Sequence, residues 1–267
     1  MLRYAFILLF VLLGFLNNLF AQFGFSHEVG VIAGPVAFQS DYGERYNLDT
    51  NAGNTGMGIG IIRYINFSYK PTCNCYTPET YFNDHFKLRS ELSFNKTNLE
   101  HLGEWVATDK TSLAADQLRA MKGNTAITNI GLQLEYFPFS IRDFTSRIGS
   151  LGPFVSLGAQ FSYYNAQAYS TLGPLGTVLT TFPKYLVPSD NHPYGFSTEG
   201  GSVWSGVSSV GTRYKLTPLR DLMVDLRFQY YFSNWVDGLN PNPVTVPENR
   251  ANDCLVWLNV GYIYYIQ

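Results

Sequence analysis

The sequence predicts an all-β fold, a transmembrane antiparallel up-and-down β-barrel of eight strands, with ten strands as the runner-up. Three observations carry this. Charged residues make up only 14% of the chain while aromatics reach 16% and glycines number 24, whereas typical soluble proteins carry about 25% charged residues. Past residue 21, no apolar run approaches the ~20 residues that a membrane-spanning helix needs. Several segments alternate apolar and polar residues with period two, which lets one face meet lipid and the other a polar lumen.

The chain opens with Arg3, an apolar run from Ala5 to Leu16 and then Phe20-Ala21-Gln22. That is the anatomy of a secretory signal peptide cleaved after Ala21. The expected domains are therefore a signal peptide at 1–21 and an outer-membrane barrel at 22–267. Without residues 1–21, 17 basic side chains face 20 acidic ones. This balance provides no basic footprint for nucleic acid.

The strands are expected in the following order. Residues 28–38 come first, with Pro35 unable to donate to a ladder and so marking a bulge or a break. Residues 56–67 place Met57, Ile59, Ile61, Ile65 and Phe67 on one face. Arg63 shares that face and must either snorkel to an interface or turn inward through a bulge. Residues 86–95 alternate Phe86, Leu88, Leu92 and Phe94 with Lys87, Arg89, Glu91 and Asn95. The segments 129–136, 155–163 and 222–232 alternate as cleanly, 203–215 alternates poorly, and 255–266 ends almost at the carboxyl terminus.

A periplasmic start makes 39–54, 96–123, 165–202 and 233–254 the outer loops, and 68–85, 138–152 and 216–221 the periplasmic turns. The outer set is the longer, as barrels require. Residues 112–121 have helix-forming composition. The third outer loop has room for a further hairpin, hence the ten-strand runner-up.

The polar faces separate this barrel from a soluble one, which would show many charges to water. Here those faces are mostly Gly, Ser, Asn and Gln, with a small charged set of Glu28, Lys87, Arg89, Glu91, Glu135, Asp225 and Arg227. Such a near-balance suits ion pairs inside a narrow lumen. An eight-stranded barrel is filled by its own side chains, so no open pore is expected. Tyr64, Tyr136, Tyr163, Tyr230, Tyr262 and Tyr264 are candidates for interfacial aromatic girdles, with outer-membrane lipid as the surrounding partner.

The first strand reads His27-Glu28-Val29-Gly30-Val31, followed by Phe38 and Asp41-Tyr42-Gly43. Near the other end stand Phe-Gln-Tyr-Tyr-Phe-Ser-Asn-Trp-Val-Asp-Gly over 228–238 and Asn-Arg-Ala-Asn-Asp over 249–253. These stretches resemble a Bacteroidota outer-membrane barrel family that includes the PorG-type proteins of the type IX secretion system. The likeness is organisational over most of the mature chain and residue-specific at its two ends. The family carries an acidic pair after the penultimate strand, whereas here Asp237 is followed by Gly238, the mark of a divergent relative. The resemblance implies a non-enzymatic scaffold or accessory subunit of a secretion or gliding complex in the cell outer membrane. Its partners would be periplasmic secretion-system subunits or lipoproteins. The turn at 68–85, with Tyr76, Tyr81 and Phe82, is the candidate docking surface, against the alternative of a small plug folded on the barrel mouth. The competing function is transport or adhesion through the outer loops.

Other chemistry finds little support. Cys73 and Cys75 fall in a periplasmic turn and Cys254 at the outer rim, on the order of 25 Å away across the apolar band. A bridge to Cys254 conflicts with that topology, while a local Cys73–Cys75 disulfide is open to an exported chain and leaves one thiol over. No histidine lies in compact ligand spacing with the cysteines, and no metal or other cofactor is expected. His27 and His85 fall at periplasmic strand ends and His101 and His192 in outer loops; only His101, near Glu100 and Glu104, could join a surface site, and no nucleophile elbow or phosphate loop accompanies it.

Overall fold

The computed structural model describes residues 25–43, 50, 53–70, 75–247, 249 and 251–266. The expected signal peptide and Cys73 lie outside the described residues. Eight strands close into one antiparallel barrel: β1 Ser26–Gln39, β2 Thr55–Asn66, β3 Phe86–Glu100, β4 Met121–Tyr136, β5 Leu151–Ser170, β6 Gly200–Thr217, β7 Arg220–Tyr231 and β8 Cys254–Ile266. Each strand pairs with its sequence neighbours, and β1 closes the ring on β8 from His27↔Ile266 to Gln39↔Cys254. Closure leaves no unpaired strand edge, the condition for crossing hydrocarbon. The third outer loop holds only isolated bridges, Ser189↔His192 and Phe196↔Leu239, which rules out ten strands.

Alternation runs without a break around the barrel. Outward positions include Met57, Ile59, Ile61, Leu92, Ile130, Leu157, Val224 and Val260, all exposed, while their strand neighbours are buried or, at Gly56, Gly131 and Gly158, partly so. An exposed apolar wall around a charged interior reverses the arrangement of a soluble protein and matches a bilayer. The chain is an outer-membrane β-barrel. The connections at the end bearing Ser26 and Ile266 are shorter on average than those at the other end, which identifies the former as periplasmic.

Several elements differ from the expectation. Pro35 introduces no bulge: its pairing to β8 lapses between Ala33↔Val260 and Val36↔Trp257, and the register resumes unshifted. Arg63 stays outward with β2 in continuous register, so it snorkels. The poorly alternating segment becomes the 18-residue β6, whose faces are regular even though their chemistry is not. Val203 and Val207 face inward while Ser208 and Thr212 face lipid. Tyr64 is not in a girdle. It is fully buried in the lumen, whereas Tyr136, Tyr163, Tyr230, Tyr262 and Tyr264 stand on the outer wall.

Among the described residues, three short α-helices decorate the ends: α1 Tyr81–His85 and α3 Ile141–Ser146 below, and α2 Leu113–Ala120 above. The Ser112 hydroxyl accepts from Ala115 N, satisfying one orphan amide at the start of α2.

Candidate functional site: a charged lumen between two capped ends

Inward positions of β1, β3, β4, β6 and β7 converge on one column of ion pairs. At its periplasmic foot Lys215 lies 3.1 Å from Asp221, which also accepts from the Tyr265 hydroxyl at 2.7 Å. Glu28 is clamped between Lys87 and Arg213, each at 2.6 Å, and accepts from the Asn66 amide at 3.1 Å. Arg213 reaches on to Glu135 at 2.9 Å, and Tyr64 donates to the same carboxylate at 3.0 Å. Arg89 then joins Glu135, Asp225 and Glu91 at 3.4, 3.0 and 2.8 Å. Finally, both Arg227 terminal nitrogens bind the two Glu91 oxygens, a fork-to-fork pair with one arm of 2.7 Å.

All seven charged residues singled out from the sequence stand in this column, joined by Arg213, Lys215 and Asp221. Among the described residues this column therefore holds five acids and five bases, at most 3% exposed. Neutrality matters because an unpaired charge at this depth costs several kcal/mol. The three extra residues sit in segments whose alternation was obscured or at a strand start. Arg213 and Lys215 share their parity with Val203 and Val207, inward valines that read as lipid-facing, so alternation hid them.

Above the charges, the Gln229 amide donates to Asn129, Ser162 and Ser205 at 3.1, 3.3 and 2.8 Å. Higher still the last outer loop folds into the barrel. Trp235, Val236, Asp237 and Leu239 are buried, and the Val236 carbonyl accepts from Thr125 on β4 at 2.7 Å. Asp253 receives the backbone N–H groups of Val236 and Asp237 at 3.1 and 3.3 Å, while Asn234 donates to Asn249 at 2.6 Å. Residues 234–239 thus meet Asn249 and Asp253 as one outer cap. Gly238 adopts φ +86°, and a Cβ there would crowd the Ser197 carbonyl at 3.0 Å, so the position next to Asp237 needs glycine.

At the periplasmic end, the turn after β2 and the turn bearing α3 brace each other. Arg142 pairs with Asp84 at 3.6 Å, donates to the Thr77 carbonyl at 3.0 Å and lies over the Tyr76 ring. Tyr81 bonds the hydroxyl of outward Tyr136 at 2.7 Å, and Phe82 packs on Phe67 and Phe86. Tyr81 and Phe82 therefore continue the lipid-facing aromatic belt. Tyr76 instead helps line a mouth cavity of about 410 Å³, with Asn66, Ser68, Leu219 and Tyr265 among the other walls.

Cys75 is disulfide-bonded, whereas Cys254 keeps its thiol and donates to Gln39 Oε1 at 3.0 Å. His101 has aromatic neighbours, with Tyr42 and Tyr185 rings at 4.9 and 6.1 Å. Burial, helped by nearby Lys184, lowers its pKa to about 3. His192 lies against Trp235 at 4.2 Å. Among the described residues no group of three or more His, Cys, Asp or Glu is placed to hold a metal.

No family model and no curated protein matches the sequence. Solved structures that resemble the barrel include Ail, the attachment invasion locus protein of Yersinia pestis, at 10% identity and TM-score 0.42, with 91% of this chain and 99% of that one covered. Neisserial surface protein A shares 13% identity at TM-score 0.42 over 89% and 96% of the two chains. A major outer membrane protein of Thermus thermophilus shares 13% at 0.45 over 90% and 99%. Likeness at this level carries nothing about ligand or partner, and the fold rests on the strand register itself.

Proposed function

We propose that this chain, exported on residues 1–21, is a non-enzymatic barrel scaffold, an accessory subunit of a type IX secretion or gliding-related complex of the PorG kind. The observation that carries this reading is the periplasmic mouth. It is a sizeable concave site walled by turns that brace one another, and two of its lining residues, Asn66 and Tyr265, donate to Glu28 and Asp221 of the buried ion-pair column. A site of this kind suits a periplasmic partner. The sequence resemblance at both chain ends supplies the class of partner.

Affinity purification of a tagged copy from native outer membranes in mild detergent, followed by mass spectrometry, tests it. Stoichiometric periplasmic lipoproteins or secretion-ring subunits, lost on Tyr76→Ala, are the expected result. A bare barrel overturns the docking role.

A second reading, adhesion or ligand binding through the outer loops, is favoured by the apolar side chains exposed there. Trp105, Val178 and Leu179 are each 70% or more exposed. Binding of intact cells to host or surface ligands that is lost when these three are made polar would favour that reading over docking.

A further inference from the structure

The lipid-facing wall carries one anomaly. Outward charges on the described strands stand at Arg220, the first residue of β7, and at Lys96, Glu100 and Lys122, above the apolar band on β3 and β4. Arg63 alone lies within the band. It is three residues from the lower end of β2. At ~3.3 Å per residue and ~40° of tilt this is about 8 Å above the rim. Its guanidinium turns downward, with Nη2 3.4 Å from Nδ1 of His27 near the foot of β1. A cation at that height pointing toward the interface sits where the phosphates of the periplasmic leaflet lie.

The wall beside it is concave. Ser90 pairs across the sheet with Arg63 on one side and Leu132 on the other, and is the single small outward residue of β3 between Leu88 and Leu92. The missing bulk leaves a groove of about 430 Å³ bordered by Ile61, Leu92, Ile130 and Leu132, with Arg63 at its edge.

We propose that Arg63, His27 and the Ser90 groove form a phospholipid site: the headgroup phosphate rests on the Arg63 guanidinium, which neutral His27 orients by accepting one of its N–H groups, and one acyl chain lies in the groove. Charge complementarity selects the anionic phosphodiester. The groove's position inside the hydrocarbon band selects a lipid over a protein partner. The site is independent of the docking reading, because it occupies the outer wall and not the mouth.

Native mass spectrometry of the full barrel released from nanodiscs of phosphatidylethanolamine and phosphatidylglycerol tests it. The wild type retains one phospholipid after the annular lipids are stripped. Arg63→Gln lowers that occupancy about tenfold or more, the loss expected of one charge-assisted contact. Ser90→Leu, which fills the groove and leaves the arginine in place, lowers it several-fold, and Arg220→Gln leaves it unchanged. Heat-modifiable migration on gels confirms that each variant is folded. Equal retention by wild type and Arg63→Gln, or no retained lipid on the wild type, overturns the site and reduces Arg63 to an ordinary interfacial anchor.

Discussion

Neutralising Glu91 tests the charged column most directly. Its oxygens receive two nitrogens of Arg227 and one of Arg89, with the Gln133 amide at 3.4 Å. In Glu91→Gln, Arg89 keeps Asp225 and Glu135. Arg227 loses its carboxylate and is left over the Trp257 ring at 4.9 Å. The column then carries one uncompensated positive charge. A unit pair about 4 Å apart at an effective dielectric of ~20 interacts by about 4 kcal/mol, and breaking a buried pair by removing one partner costs about 3–5 kcal/mol. Because glutamine keeps one acceptor oxygen, the lower end, about 3 kcal/mol, is expected. Arg227→Met strands Glu91 less, since Arg89 still binds it, and costs about 2–3 kcal/mol. The double variant restores neutrality and falls within about 2 kcal/mol of wild type, a coupling of several kcal/mol between contacting residues. Urea unfolding in vesicles reports this through tryptophan fluorescence, with heat-modifiable migration as a readout independent of the Trp257 indole that Arg227 touches. Strict additivity of the two single variants, or a Glu91→Gln cost below about 1 kcal/mol, would refute the claim that this pair is buried and coupled.

Further outcomes follow from the two ends and the wall. A Cβ on Gly58 would meet the Trp257 ring at 2.5 Å; Gly58→Ala is therefore expected to cost about 1–3 kcal/mol and to shift the tryptophan emission. Asp253→Ala leaves the N–H groups of Val236 and Asp237 unsatisfied, at about 1–3 kcal/mol each. Hydrogen exchange should speed up across 234–240 while β7 and β8 stay protected. His101 is held neutral in the fold with its pKa lowered to about 3, so its contribution is intact above its unfolded value of ~6.5 and is lost as pH falls. Acidifying from pH 7 to 5 should weaken the outer cap by about 2 kcal/mol, read as faster proteolysis of the outer loops, and His101→Phe should abolish that dependence.

Much of the fold was legible because barrel strands are encoded locally. In β3, Phe86, Leu88, Leu92 and Phe94 against Lys87, Arg89 and Glu91 display the inside and outside of the wall within ten residues, and β7 does the same. In β6 the two faces overlap in chemistry, with valines inward and Ser208 and Thr212 toward lipid. There periodicity located a strand but blurred which side each residue faced. Tyr64 shows a different limit. Its parity, opposite Ile61 and Ile65, put it inside, and only its aromatic character pointed to a girdle.

By itself, then, the sequence determined an eight-stranded barrel with lipid outside and paired charges inside, because a period of two and scarce charge are properties of short segments read one at a time. The tertiary structure decided which charges meet. Arg213 bridges Glu28 and Glu135, residues far apart in the chain, and Asp253 fastens Val236 and Asp237 over the outer end. Such contacts depend on shear, closure and the inward path of a loop. These are set by all eight strands at once, and no single segment encodes them.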